Sequence, residues 1–109
     1  MLEPGRTYIN SEKRIRVRFT DEDGDAVNPT TVTIRTMDPT GAETTYVYGT
    51  DSEVQRESTG NYLADITPDS AGRWYYRWQT TGTGTTTAME GSFLVQDSIF
   101  YQDTDIGYV

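Results

Sequence analysis

Between residues 73 and 78 the chain reads Arg-Trp-Tyr-Tyr-Arg-Trp, which puts Trp74, Tyr76 and Trp78 on alternate positions. Side chains two residues apart share one face of a β-strand, so this spacing demands a strand with a ring-rich side and an outward side bearing Arg73, Tyr75 and Arg77. The same period recurs in Ile15, Val17 and Phe19, in Val32 and Ile34, in Tyr62, Ala64 and Ile66, and in Met89, Phe93 and Val95. No stretch of useful length carries the 3.6-residue period of a helix, and the runs are punctuated by Gly, Pro, Asp and Asn. The chain is therefore expected to be all-β and built from antiparallel strands.

The alternation places strands at 13–20, 31–37, 43–48, 61–67, 73–78 and 88–96, with short edge strands at 7–10 and 54–56. Asp38-Pro39-Thr40-Gly41 suits a type I turn, with proline at its second position and glycine at its fourth. About seven strands at 8 to 12 residue spacing are the mark of an immunoglobulin-like sandwich. At 109 residues the chain holds one such domain, assigned to residues 1–96, and an extended C-terminal tail, 97–109.

Charge and cysteine content narrow the function classes. With a net charge of -8 the protein repels phosphate backbones, so no nucleic-acid partner is expected. Arg14, Arg16 and Arg18 alternate along one strand and are expected to point outward, paired with neighbouring carboxylates. Cysteine is absent, so burial and not a disulfide must hold the fold. No apolar run approaches a membrane span and no export signal is visible, so a soluble protein without a membrane partner is expected.

Catalytic chemistry finds little to work with. Histidine and cysteine are both absent, which removes the commonest general base and every Ser-His or Cys-His nucleophile. Asp21, Asp23 and Asp25 are spaced like the first ligands of a calcium loop, but Ala26 stands where its glycine belongs and Val32 where its closing glutamate belongs. An acidic turn is the expectation, with no metal, no cofactor and no enzymatic activity. Trp74, Tyr76 and Trp78 could form a sugar-stacking platform, but a domain this poor in aliphatic residues needs them as core. Tyr75 is then the ring left outside, and Gly91 could sit opposite a large indole. Residues 80–87 contain only Thr and Gly and are expected to form a loop without packing side chains. In the tail, Ile99, Phe100, Tyr101, Ile106 and Tyr108 are candidate partner contacts, since solvated tails are usually depleted in such residues. Extended, the tail would reach roughly 40 Å, which makes it an expected assembly arm.

Several of these stretches resemble one family. The order Thr36-Met37-Asp38-Pro39-Thr40-Gly41, Ser58-Thr59-Gly60-Asn61-Tyr62, Pro68-Asp69-Ser70-Ala71-Gly72-Arg73-Trp74-Tyr75-Tyr76-Arg77-Trp78 and Glu90-Gly91-Ser92-Phe93-Leu94-Val95, with Ser98 and Phe100, resembles small immunoglobulin-like proteins of tailed bacteriophages. The likeness implies a non-enzymatic virion component made in the host cytoplasm. It would decorate the capsid or sit at the head-tail neck in many copies, with capsid, portal or neck proteins as partners. The alternative is a carbohydrate-binding or adhesin-like module that touches a host surface through Tyr75 or loop aromatics.

Overall fold

The computed structural model describes residues 7–82 and 88–97. They form eight strands: β1 Thr7–Tyr8, β2 Lys13–Arg18, β3 Thr31–Met37, β4 Glu43–Val47, β5 Val54–Ser58, β6 Asn61–Ile66, β7 Gly72–Thr81 and β8 Ala88–Gln96. Two sheets result, one of five strands in the order β1-β8-β7-β3-β4 and one of three in the order β2-β6-β5. Their inner faces meet in a single core drawn from both. In immunoglobulin lettering, β2, β6 and β5 take the places of B, E and D, while β8, β7, β3 and β4 take those of G, F, C and C′. The protein is thus an all-β, immunoglobulin-like sandwich.

All pairings are antiparallel except one, because β1 runs parallel to β8 through Thr7 opposite Val95 and Tyr8 opposite Gln96. A chain that crosses from the edge of one sheet into β2 of the other cannot form a hairpin with the last strand, so the wholly antiparallel expectation is corrected there.

The turn between β3 and β4 shows how local sequence fixes register. Asp38 accepts the Gly41 N–H at 3.0 Å through its carbonyl, and its carboxylate takes the N–H groups of Thr40 and Ala42, both at 2.9 Å. Gly41 sits at φ +93°, a left-handed conformation that other residues adopt only at a cost. The closed turn sets Met37 opposite Glu43 and Thr33 opposite Val47. The acidic segment after β2 closes in the same way, since one Asp21 carboxylate oxygen receives the N–H groups of Asp23 and Asp25 at 2.9 and 3.0 Å.

The core has two aromatic ends. Phe19 meets Trp78 edge-on at 6.3 Å and Tyr62 at 5.7 Å, and Tyr48 packs against Tyr62 at 5.2 Å. At the other end Trp74 stacks on Phe93 at 6.2 Å, with Tyr76 at 6.4 Å from the same ring. The B to F contact that a disulfide makes in antibody domains is made here by Phe19 and Trp78. The Trp74 indole N–H donates to the Ser70 carbonyl at 3.0 Å, pinning the β6–β7 corner as a tyrosine hydroxyl does in many immunoglobulin domains. The Trp78 indole N–H is buried and has no hydrogen-bond partner among the described residues.

Trp74 and Trp78 are buried and Tyr75 is exposed, as the alternation requires. Other expectations need correction. Thr80 belongs to β7 and is 0% exposed, so the Thr- and Gly-rich stretch begins inside the core and not in a loop; residues 83–87 lie outside the described residues. Val54 is buried, and β5 extends to Ser58. Met89 shares the inner face of β8 but lies exposed at the strand's start. Gly91 faces a phenol and not an indole: it pairs with Tyr76, whose ring lies where a Cβ at position 91 would be.

Candidate interaction face

Residues of β3, β4, β7 and β8 that point away from the core form the outer face of the five-stranded sheet. Register places Glu43, Met37, Tyr75 and Ser92 in one row across the strands, and Thr45, Arg35, Arg77 and Glu90 in the next. Tyr75 is 49% exposed, and Leu94, its diagonal neighbour on β8, is 45% exposed. With Met37 directly opposite Tyr75, an apolar line crosses three strands.

Beside it lie two arginines. Arg35 and Arg77 are cross-strand partners, an arrangement in which like charges repel. Each is compensated from its far side, Arg77 by Glu90 at 2.6 Å and Arg35 by Glu43 at 3.7 Å, the latter too long for a hydrogen bond. A groove of about 210 Å³ runs between these side chains, with Met37 and Tyr75 in its wall. It offers apolar contact and, in Arg35, a guanidinium whose donors are not saturated. That combination suits a protein surface or a polar, ring-shaped ligand better than bond-breaking chemistry.

The outer face of the three-stranded sheet is different. Arg14 binds Asp65 through two parallel bonds of 2.8 and 2.9 Å, and Arg16 reaches Glu57 at 3.1 Å. The bond from Arg14 holds the Asp65 carboxyl below its usual range, and the same bond pushes the guanidinium up. Leu63 points to this outer side yet is only 3% exposed, and its register partners on the neighbouring strands are Arg16 and Gln55.

Of the residues singled out from sequence, Tyr75 stands at the centre of the exposed face. Ile99, Phe100, Tyr101, Ile106 and Tyr108 lie outside the described residues. Arg35, Met37 and Leu94 were not anticipated as its neighbours. Alternation puts Arg77 on the side of Tyr75, but only the strand order brings β3 and β8 to flank β7.

No protein-family model matches the sequence, and no curated protein matches it. Among solved structures the chain is similar to a protein from Bacteroides vulgatus ATCC 8482 named a "putative glycoside hydrolase", with a TM-score of 0.59 and 14% identity. The likeness is one of fold. It covers 85% of this chain but 16% of that one, so the chain corresponds to one β-sandwich portion of a much longer protein.

Proposed function

We propose that this chain is a non-enzymatic interaction module of a tailed-bacteriophage virion, docking on a capsid, portal or neck protein through the outer face of the five-stranded sheet. The observation that carries the reading is the line of exposed Leu94 and Tyr75 and half-buried Met37 beside Arg35 and Arg77, on a domain whose other outer face carries its own ion pairs. Aromatic, methionine and arginine side chains are enriched at protein interfaces, and apolar residues in register on a rigid sheet lose little entropy on docking. The phage placement rests on the sequence resemblance, whose most specific stretch, 71–78, includes Tyr75.

The test is incorporation into particles of the phage that encodes the chain. A Tyr75→Ala, Leu94→Ala double variant should fold and fail to incorporate, and normal incorporation would refute the assignment of the face. A second reading, carbohydrate binding, is favoured by the likeness to part of a protein named a glycoside hydrolase and by a tyrosine ring beside a charged groove. Saturable binding to immobilised glycans, lost in Tyr75→Ala, would select it.

A further inference from the structure

A sheet edge that borders the face just described carries a second inference. Among the described residues β4 pairs with β3 alone, and none of them pairs with its other edge. The turn fixes which of its backbone groups face outward. Tyr48 donates to Val32 and Asp38 to Ala42, so the even residues of β4 bond to β3 and the odd ones, Glu43, Thr45 and Val47, point away from it. Val47 is already occupied, because its N–H donates to the Asp51 carboxylate at 2.8 Å and its carbonyl takes the N–H groups of Thr50 and Asp51 at 3.1 and 2.8 Å. The outward N–H and C=O groups of Glu43 and Thr45 are left to solvent, and both residues are exposed.

The other edges of the sandwich carry protection against pairing. β5 has Arg56 and Glu57 and a register shift between Arg56 and Ser58. β2 presents Arg14, Arg16 and Arg18, and β1 is two residues long. From Thr44 to Val47, β4 has no charge, no proline and no bulge, and it consists of residues with high strand propensity.

We infer that the β4 edge joins two copies of this chain, antiparallel, about a two-fold axis at Thr44. The free groups are self-complementary in that arrangement. Glu43 exchanges N–H and C=O bonds with Thr45 of the second copy, Thr45 does the same with the second Glu43, and the two Thr44 residues face each other as a non-hydrogen-bonded pair. Side-chain sizes match as well, since Ala42 falls opposite the second Tyr46 and Gly41 opposite the second Val47. Nothing lies within 4 Å of a Cβ built at Gly41, so the approach is open. The Asp51 cap on Val47 ends the window at each side, which keeps the pairing to one register and stops a longer strand from adding.

The chain has no cysteine, so Thr44→Cys places one thiol on the axis. Facing Cα atoms in such a pair are about 4.5 Å apart, within disulfide range. Mild oxidation should yield covalent dimers at least about tenfold faster than in Thr59→Cys, whose thiol lies on the distant β5–β6 turn. Wild-type protein should pass from monomer to dimer in sedimentation between about 1 µM and about 1 mM. Over that range the Thr45 amide proton should gain protection. Thr45→Pro removes an outward N–H without touching the β3 ladder, so it should keep the monomer's circular dichroism and lose the dimer. Equal cross-linking rates for the two cysteine variants, or a wild-type monomer throughout, would overturn the inference. So would a Thr45 amide protected only when another particle protein is added, since the edge would then belong to a different chain. The cross-linking comparison stands whether or not Thr45→Pro folds.

Discussion

The two outer faces of this sandwich both carry arginines, carboxylates and one leucine, the larger adding Tyr75 and Met37, and they end up opposite in character. On the small sheet, Arg14 lies directly opposite Asp65, and Arg16 reaches across β6 to Glu57 over Leu63. Opposite charges in cross-strand positions pair on that face, and the leucine there is buried. On the large sheet the arginines of β3 and β7 oppose each other, so each leans outward to its own glutamate and the middle of the face stays uncovered. Which of the two faces stays uncovered depends on register as well as on composition.

The contrast is measured against the core both faces share. Trp78→Ala should cost about 3 to 5 kcal/mol, read as a fall in the urea midpoint with unchanged m-value, because it removes the ring that joins the sheets at Phe19. An unchanged midpoint would contradict the assigned inner face. Leu63→Ala should cost about 2 kcal/mol, the low end for a buried leucine since it lies on an outer face and outside the main core cluster. A cost near zero would break the claim that Leu63 is buried.

The ion pair on that face has a pH signature. Because Arg14 holds the folded Asp65 carboxyl below its ordinary value, the unfolded chain takes up that proton first as the pH falls. The contribution is present above the ordinary carboxylate pKa and disappears as the pH drops through the lower, folded value. Asp65→Asn should therefore lower the melting temperature at neutral pH and flatten its decline in acid. A parallel acid limb would show that the pair adds no stability. The smallest effects belong to the open face, where Leu94→Ala and Tyr75→Ala should each stay within about 0.5 kcal/mol of wild type in urea unfolding. A larger loss would mean that this face, too, is part of the packed structure.

Strand existence and facing were readable wherever apolar residues alternate without interruption, as in β2, β3 and β7. The same rule misplaced residues whose burial depends on what lies across the gap. Met89 has the right parity, but it sits at the start of β8 and stays exposed, whereas Thr80, a polar residue in a monotonous stretch, is enclosed because β7 continues past the tryptophans. Leu63 has outward parity and is nevertheless buried. The candidate face was half legible: Tyr75 could be named from β7 alone, but Leu94, Met37 and Arg35 come from strands 19 to 40 residues away in sequence, and no local pattern encodes that pairing. Gly91 illustrates the same limit, since a missing side chain signals that something approaches and not which ring it is.

The two tryptophans, four residues apart on one strand, sit at opposite aromatic ends of the core and in unlike polar surroundings, one indole N–H bonded to a carbonyl and the other without a partner among the described residues. Their fluorescence therefore differs in origin, and the protein carries a built-in optical reporter for each end. In Trp74→Phe the remaining emission follows the Phe19 and Tyr62 end, and in Trp78→Phe it follows the Phe93 end. If each curve coincides with circular dichroism recorded on the same variant, the sandwich unfolds as one cooperative unit. If one emission changes ahead of the dichroism, the end of the domain that opens first is identified without attaching any label.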